Sequence, residues 1–408
     1  MNEDKHGIRP GIVNMSNICY INSALQCLAS SIFIKKLLKH YDDDDALIIK
    51  IIEENNLLSK ENLTYNDNIK DLFKNLVNNE TNKITKKNIK IIEKKYNDLF
   101  VYITFKSIIL GIMKKRNVTL NPNVFISVCK ENTKGSYLEE LFRGQNDPHE
   151  FVTYLLDKLH SSRSSQIELN LTPNQGNSEE DKIYNEYIKE FKMRNEKDFS
   201  FFTQELYYYI LNVTKCSKCG HQNYSFSPNN HILSLTIKKQ SKISIFNCLD
   251  ELFSTEILEE GYKCDKCKND KMNIIEKKIL SKPKDIVLQL NRFETDMFGN
   301  SRKINDQVDY PLDLNINNYC LFNNQSNNYI LYGVINHQGS INSGHYYSFT
   351  RDINYNNNYD FNKESGPDNQ IYQISDWYLC NDEHVSPIKT NDVLNNSNAY
   401  MLFYQLVE

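Results

Sequence analysis

Cys19 lies where a loop rich in glycine and asparagine, residues 11–20, is followed by apolar residues at helical spacing. Those apolar residues are Ile21, Ala24, Leu25 and Leu28. The pattern predicts that Cys19 begins a helix, where oriented N–H groups and the helix dipole lower the thiol pKa below its usual value of roughly 8.5. An isolated cysteine is more often a small buried core residue. Asn14, on the same loop, is a candidate donor to an oxyanion that forms beside the sulfur.

A cysteine nucleophile also needs an imidazole to take its proton and a third group to hold that imidazole in one tautomer. His345, one of nine histidines, stands at the start of a strand-like segment, residues 344–350. A second strand-like run, residues 377–380, ends at Asn381 and Asp382. If the two segments pair antiparallel, Asn381 or Asp382 reaches the imidazole. We expect Asn381 to be the orienting residue.

The segment from Gln145 to Phe151 begins another predicted helix. Asp147 suits the N-cap, Pro148 the first helical position and Glu150 the acidic position three residues after the cap. Capping alone accounts for these residues. His149, on the same helix, is predicted not to be catalytic.

Two CxxC pairs, Cys216 with Cys219 and Cys264 with Cys267, supply four thiolates for a tetrahedral Zn²⁺ ion. The gap between the pairs exceeds the roughly 15–20 residues of a compact finger, so strands are predicted to lie between them. A redox role is less consistent with two pairs, because one would suffice. The segment also lacks the concentrated basic and aromatic face of a nucleic-acid-binding ribbon.

Together these segments resemble the ubiquitin-specific proteases, the papain-like deubiquitinases. Residues 11–14 and 17–26 resemble the cysteine box of that family, residues 344–346 its histidine box, and Asn381 its third catalytic position. The cysteine box departs from the usual pattern at Ser16, commonly Gly, and at Ile18, commonly Thr. Neither change removes a catalytic atom.

The resemblance implies roles for further residues. It implies that ubiquitin and its basic C-terminal tail are bound by Gln145, Asp147, Glu150, Gly344 and Tyr346. Asp382 matches a neighbouring acidic position that supports the site or substitutes for Asn381. The four paired cysteines resemble the structural zinc ligands of a fingers subdomain that grips the body of ubiquitin. The match departs from the commonest form at Asn146 and Pro148.

The spacing of apolar residues is helical before about Ser200 and alternates in short runs afterwards, which indicates an α+β architecture. The strand-like segments include residues 286–293, 329–337, 344–350 and 400–405. The resemblance implies a papain-like cysteine protease fold in a single catalytic domain, residues 1–408. It places a helical thumb at about 11–160 with an insertion at 42–98, zinc-binding fingers interleaved with the palm at about 200–285, and an antiparallel palm at about 286–405.

Composition restricts the class of protein further. Lys and Arg total 48 against 52 for Asp and Glu, with no massed basic run, so nucleic acid is not an expected partner. The longest apolar stretch, residues 101–113, is shorter than the roughly 20 residues that cross a bilayer and is predicted to be a buried helix. No secretory signal is visible, so the ten cysteines are expected in a reducing compartment, the cytoplasm or the nucleus.

The sequence therefore predicts a thiol-dependent deubiquitinase that hydrolyses the bond after the C-terminal Gly of ubiquitin on conjugates or chains. Its expected partners are ubiquitin and ubiquitinated proteins, its expected cofactor is structural Zn²⁺ without an organic cofactor, and it is expected to be a monomer. The alternatives are an inactive ubiquitin-binding module, a protease for a ubiquitin-like modifier, and a zinc-ribbon interaction protein in which Cys19 is incidental.

Overall fold

The computed structural model describes residues 8–41, 86–229, 232–295, 297–322, 328–341, 343–355 and 372–407. The chain forms two compact units. The first comprises Met1–Ser164 and His345–Lys389, and the second comprises Ser165–Gly344 and Thr390–Glu408. The chain thus leaves the first unit after Ser164, returns to it at His345 and leaves it again after Lys389.

The described part of the chain contains both helices and mainly antiparallel strands, as the predicted α+β architecture requires. The helices are α1 (Cys19–Ser30), α2 (Ile32–His40), α3 (Lys86–Lys114), α4 (Asn123–Thr133), a 3₁₀ helix (Tyr137–Phe142), α5 (Pro148–Arg163), α6 (Glu179–Asn195), α7 (Phe201–Glu205), α8 (Ile245–Leu252), a second 3₁₀ helix (Asn317–Tyr319) and α9 (Thr390–Leu394). The strands are β1 (Gly11–Ile12), β2 (Thr119–Leu120), β3 (Tyr208–Lys215), β4 (Gln222–Asn229), β5 (Ile232–Thr236), β6 (Ile243–Ser244), β7 (Glu256–Leu258), β8 (Asn273–Ile279), β9 (Asp285–Asn291), β10 (Phe293–Thr295), β11 (Ser301–Lys303), β12 (Val308–Asp309), β13 (Asp313–Asn315), β14 (Asn328–Gly339), β15 (Gly344–Thr350), β16 (Ile353–Tyr355), β17 (Tyr372–Ile374), β18 (Trp377–Asn381), β19 (His384–Ile388) and β20 (Ala399–Leu406).

The first unit is built around α1, all of whose residues are buried. Phe151 of α5 meets the rings of Tyr20, Phe125 and Phe142 nearly edge-on, with centroid separations of 6.1, 6.3 and 6.3 Å. Edge-to-face aromatic contacts of this kind add to the stabilisation from burial. The helix that carries Cys19 is therefore held on all sides.

The predicted buried helix at residues 101–113 is confirmed, because this stretch lies in α3 and is largely buried. Across the described segments, no helix has the length and apolar content needed to span a bilayer. Of the predicted insertion at 42–98, residues 42–85 lie outside the described residues. Residues 86–98 are the first part of α3, which continues past residue 98 to Lys114.

Three antiparallel strands of the first unit, β15, β18 and β19, carry the C-terminal site residues. Ser348 lies opposite Cys380, and Phe349 lies opposite Leu379. Asn381 lies opposite His384 across the tight turn to β19. The predicted antiparallel pairing is confirmed, and it brings the start of β15 beside the end of β18.

The N-terminal segment is anchored to the same unit by buried charge. The Arg9 guanidinium donates to Ser30 Oγ at 2.7 Å and to the Gln26 carbonyl at 2.8 Å. Asp352, just after β15, lies 3.7 Å from Arg9 and 3.5 Å from Lys35 of α2. These contacts fix the far end of β15 against the helices. Most of the connection that follows, residues 356–371, lies outside the described residues.

Most of the described strands of the second unit lie in two sheets, and two short pairs, β10 with β11 and β12 with β6, stand apart from them. In one of the two sheets, β14, β20 and β9 pair antiparallel in that order, and β5 joins β9 in parallel. In the other, the order is β4, β3, β8 and β7, all antiparallel. The predicted strands at 286–293, 329–337 and 400–405 are confirmed as β9, β14 and β20, with β9 ending at Asn291 and Phe293 beginning β10.

Helix α6 covers one face of the β3–β4 ladder through a cluster that includes Ile183, Tyr187, Tyr209 and Leu211. The connection between α5, which ends at Arg163, and α6, which begins at Glu179, spans residues 164–178. The Ser178 side chain accepts from the Asp181 N–H in a capping box, which fixes the start of α6.

Gly11 is the position of the first unit where a side chain is least tolerable. A Cβ there would collide with the carbonyl group of Glu383. We therefore expect Gly11→Ala to lower the free energy of unfolding by about 1–3 kcal/mol, as overpacking does elsewhere. The midpoint of denaturant unfolding measures the change. Gly144→Ala is the matched control, because nothing lies within 4 Å of a Cβ at Gly144. Equal stability of the two variants would contradict this packing argument.

Candidate active site

Cys19 is the first residue of α1 and is 2% exposed. Its predicted position at a helix start is confirmed, but the predicted lowering of its pKa is wrong for this structure. Burial raises the Cys19 pKa, and the negative charge of Asp382 raises it further, whereas hydrogen bonds from backbone N–H groups, that of Tyr346 foremost, lower it by less. Burial therefore favours the neutral thiol of Cys19 over its thiolate in this structure.

The imidazole of His345 is oriented by Asn381. His345 Nε2 lies 2.6 Å from Asn381 Oδ1. An amide oxygen only accepts hydrogen bonds, so Nε2 carries the proton and Nδ1 keeps its lone pair. Nδ1 is then the nitrogen that can act as a base.

The next residue along β15 connects this imidazole to the thiol. The backbone N–H of Tyr346 is close enough to the Cys19 sulfur to stabilise its thiolate form. Among the described residues, the structure records no hydrogen bond between Cys19 and the His345 ring. The thiol and the oriented imidazole are thus brought together without a formed ion pair.

Asp382 has different contacts from Asn381. Its Oδ2 lies 3.8 Å from His345 Nε2, too far for a hydrogen bond. Its two carboxylate oxygens instead accept from asparagine amides, Oδ2 from Asn14 Nδ2 and Oδ1 from Asn22 Nδ2, each at 2.8 Å. Asp382 therefore contacts the loop before the nucleophile rather than the histidine.

Asn14 is held at both ends of its side-chain amide. Its Oδ1 accepts from the Ile18 N–H at 3.0 Å while its Nδ2 donates to Asp382. The donor-only and acceptor-only partners fix which way the amide points. Within the described chain, the second Nδ2 hydrogen of Asn14 has no recorded acceptor, so it remains available to an oxyanion.

Asn22 was not identified from the sequence. It is 2% exposed, and its Nδ2 lies 3.3 Å from the Ile12 carbonyl oxygen as well as 2.8 Å from Asp382 Oδ1. The available signal was its position, one turn after Cys19 in a helix rich in apolar residues. A polar side chain there needs a buried partner.

The residues predicted to bind substrate differ in exposure. Asp147 is the N-cap of α5 and accepts from the His149 N–H at 2.7 Å, as expected. Gln145 and Glu150 are exposed. Tyr346 is buried, its pKa is raised mainly by burial, and Asp147 and Cys19 add to the rise, so these three side chains are neighbours.

Gly344, the residue before His345, has no room for a side chain. In the structure, the space where a Gly344 side chain would lie is filled by the ring of His337, which is 3% exposed. The sequence did not indicate this neighbour. A larger residue at position 344 would displace that buried ring.

The four paired cysteines meet as predicted. The sulfurs of Cys216, Cys219, Cys264 and Cys267 all lie within 4.8 Å of one another. Two of the separations are 3.5 Å, Cys216 to Cys267, and 3.6 Å, Cys219 to Cys264. Tetrahedral zinc–thiolate bonds of about 2.3 Å imply sulfur separations of about 3.8 Å. The donor set and its spacing therefore fit one metal ion.

Similar backbone turns shape the two halves of this cluster. The Gly220 N–H donates to the Cys216 carbonyl, and the Lys268 N–H donates to the Cys264 carbonyl, each at 2.9 Å. Both donors are left-handed, with φ of 66° at Gly220 and 61° at Lys268. Strands β4, β5, β6 and β7 lie between the pairs, which confirms the prediction of intervening strands.

A family model described as "Ubiquitin carboxyl-terminal hydrolase" matches residues 10–404. The chain belongs to the ubiquitin carboxyl-terminal hydrolase family. The predicted resemblance is therefore confirmed along nearly all of the chain, and the segments that contain Cys19 and His345 both lie inside the matched range.

Individual relatives agree with this assignment. Ubiquitin carboxyl-terminal hydrolase 8 of Saccharomyces cerevisiae is 28% identical over 64% of this chain and 50% of its own length. Probable ubiquitin carboxyl-terminal hydrolase R319 of Acanthamoeba polyphaga mimivirus is 24% identical over 98% of this chain and 91% of its own. The chain spans about half the length of the first curated relatives that it matches.

Solved structures confirm the fold. The SAGA Ubp8/Sgf11/Sus1/Sgf73 deubiquitinating module bound to ubiquitin aldehyde matches with a TM-score of 0.62 and 21% identity, over 100% of this chain and 71% of that chain. The yeast SAGA deubiquitinating module with a mutant Sgf73 subunit gives a TM-score of 0.61 and 22% identity, over 100% of this chain and 70% of that chain. The predicted α+β protease fold is shared with these structures.

The Cys19 environment generates a pH prediction. Because burial raises the Cys19 pKa, the rate of its alkylation by iodoacetamide should climb through the alkaline range, with a midpoint above the roughly 8.5 of a free cysteine. Mass spectrometry of the peptide that contains Cys19 separates this reaction from the other thiols. A midpoint below about 7 would show a thiolate already paired with His345 at rest and would contradict this prediction.

Proposed function

We propose that this chain is a thiol-dependent deubiquitinase that hydrolyses the bond after the C-terminal Gly of ubiquitin. The observation that supports this most directly is the 2.6 Å contact between His345 Nε2 and Asn381 Oδ1. This contact leaves His345 Nδ1 as the base. The next residue, Tyr346, has the backbone N–H that reaches the Cys19 thiol. This is the proton chemistry of a cysteine hydrolase, found within the matched family range.

In the proposed reaction, His345 Nδ1 takes the Cys19 proton as the sulfur attacks the carbonyl carbon of the scissile bond. Asn381 holds the resulting imidazolium through Nε2–H. The imidazolium then protonates the leaving amine, and an acyl-enzyme remains on Cys19. Water, deprotonated by the same Nδ1, hydrolyses that thioester and returns the free thiol.

The oxyanion of each tetrahedral intermediate is stabilised by the available Nδ2–H of Asn14 together with backbone N–H groups at the start of α1. Because the Cys19 pKa is raised at rest, these donors and the imidazole contribute most once substrate occupies the site. We propose that substrate binding brings Cys19 and His345 into direct contact, as closing sites often do.

Ubiquitin is the proposed substrate because a structural neighbour of this chain is bound to ubiquitin aldehyde, and because Cys19 is only 2% exposed. A nucleophile so buried is reached by a narrow, extended segment such as a glycine-ended tail. Gln145, Asp147 and Glu150 are proposed to bind the basic residues of that tail, and Gly344 and Tyr346 to contact it along β15.

For the four-cysteine cluster we propose a single Zn²⁺ ion with a structural role. Four thiolate ligands leave no open position for a catalytic water. The Asn269 side-chain amide lies 3.8 Å from the Cys216 sulfur, an outer contact of the kind that orients metal ligands. The metal would hold two turns that are distant in sequence.

A protease for a ubiquitin-like modifier and an inactive ubiquitin-binding module are the alternatives on this fold. The third alternative, a zinc-ribbon protein with an incidental Cys19, is disfavoured by the family match over residues 10–404. The monomeric state and the cytoplasmic or nuclear location stay predictions from the sequence.

A covalent probe tests the activity. Ubiquitin carrying a C-terminal electrophile should form a stable adduct with the wild type, visible as a mass increase of one ubiquitin, and Cys19→Ala should abolish it. Cys27→Ala, in a buried cysteine of the same helix, is the control that should keep labelling. Tight ubiquitin binding without an adduct or cleavage of any chain type supports the inactive module. Labelling only by a ubiquitin-like probe supports the other modifier.

Metal content tests the zinc proposal. Purified protein should contain one zinc per chain by elemental analysis, and Cys267→Ser should lose it and unfold at a lower temperature, because structural zinc contributes directly to folding. Cys248→Ser removes a buried thiol outside the cluster and should keep the metal. A zinc-free wild type that is unaffected by chelators would refute the proposal.

A further inference from the structure

The catalytic proposal uses Asn14 but gives no role to the side chains of Asp382 and Asn22, which form a three-residue contact with it. The Asp382 carboxylate accepts from Asn14 with one oxygen and from Asn22 with the other, both at 2.8 Å. All three residues belong to the first unit. Asn14 lies before the nucleophile, Asn22 on α1, and Asp382 in the turn after β18.

We propose that Asp382 and Asn22 are positioning residues that fix the Asn14 amide for oxyanion stabilisation, and that Asp382 does not act by orienting His345. This inference rests on the proposed hydrolase function. It assigns Asn381 to the histidine and Asp382 to the oxyanion donor.

The distances support this division. His345 Nε2 lies 2.6 Å from Asn381 but 3.8 Å from Asp382, so a hydrogen bond forms only with Asn381. The Asp382 side chain is 15% exposed, and a carboxylate so little solvated needs partners that donate to it. The two asparagine amides are those donors.

The backbone around Asp382 is tied to the same loop. Its carbonyl accepts from the Ile12 N–H at 2.8 Å, and its φ is 50°, in the left-handed region. Asp and Asn tolerate that region better than other side chains, glycine apart. Replacing Asp382 by Asn should therefore preserve the turn while removing the charge and one acceptor oxygen.

Asn22 binds the other oxygen of the Asp382 carboxylate, but its own buried side-chain oxygen is left without a hydrogen bond among the described residues. Its Nδ2 lies 3.3 Å from the Ile12 carbonyl and 3.4 Å from the Val13 carbonyl, in addition to Asp382. An unpaired buried acceptor destabilises a fold, so the amide contributes through its donor end.

Asn14 needs its contact with Asp382 in order to stabilise an oxyanion. An asparagine side chain on a loop rotates freely unless its amide is bound, and an oxyanion donor is effective only when it is already in place. The Ile18 N–H fixes Oδ1 and Asp382 fixes Nδ2. Only the second Nδ2 hydrogen is then left for the reaction.

A double-mutant cycle tests the inference with a fluorogenic ubiquitin C-terminal substrate. Asn14→Ala should lower kcat roughly 100-fold, the usual loss for one oxyanion donor. Asp382→Asn should lower kcat roughly 10- to 100-fold with little change in KM. In the Asn14→Ala background, Asp382→Asn should cost less than about twofold, because its effect passes through Asn14. Asn22→Ala should follow the same pattern.

Two variants serve as controls. Asn381→Ala should lower kcat in both backgrounds, because it acts on His345. Glu383→Gln removes the exposed carboxylate next to Asp382 and should leave kcat unchanged. If Asp382→Asn costs as much in the Asn14→Ala background as in the wild type, the inference is wrong.

A second measurement needs no ubiquitin and so separates this inference from the proposed function. The charge of Asp382 raises the Cys19 pKa, so Asp382→Asn should move the iodoacetamide alkylation profile of Cys19 to lower pH or leave it in place. If Asp382 instead supported the His345 imidazolium, its removal would move the profile to higher pH, which would overturn the inference. Failure of the wild type to cleave any ubiquitin substrate would refute the proposed function, and the alkylation result would still decide the role of Asp382.

Discussion

Backbone hydrogen bonds between β15 and β18 bring together two side chains that are 36 residues apart, His345 and Asn381. The candidate site depends on this pairing, because a shift of one residue along the ladder would turn the imidazole and the amide to opposite faces of the sheet. The far end of β15 is held by a partly buried group of ion pairs, in which Asp352 meets Arg9 and Lys35. The pairing places an oriented base beside α1, and α1 places the nucleophile.

Burial makes the Cys19 thiol harder to ionise. A cysteine 2% exposed at the start of a helix receives N–H donors, but desolvation outweighs them and raises its pKa. The negative charge of the nearby Asp382 carboxylate also raises the Cys19 pKa. Its two oxygens are bound by Asn14 and Asn22, so this negative charge is held in place close to the thiol. In the mechanism proposed above, this thiol becomes reactive when a substrate supplies the remaining contacts.

The geometry of the four-cysteine cluster, unlike that of the Cys19 site, is set largely by residues close together in sequence. Each CxxC pair closes a turn through one backbone hydrogen bond and a left-handed residue, Gly220 in the first and Lys268 in the second. Lysine is strained at such a φ, whereas glycine is not. Strands β3 and β8, paired from Ile210 with Ile279 to Lys215 with Ile274, then bring the two turns together. The sheet supplies the long-range part of the site.

The sequence by itself determined the helix start at Cys19, the capped start of α5 at Asp147, the main strands and the two CxxC pairs, because each depends on local spacing and residue type. The tertiary structure decided what local patterns do not contain. It gave Asn381 and Asp382 different partners, His345 for the first and the amides of Asn14 and Asn22 for the second. It also placed the His337 ring against Gly344 and reversed the expected direction of the shift in the Cys19 pKa. Hydrogen-bond partners and desolvation depend on which distant residues surround a group, and only the folded chain fixes those neighbours.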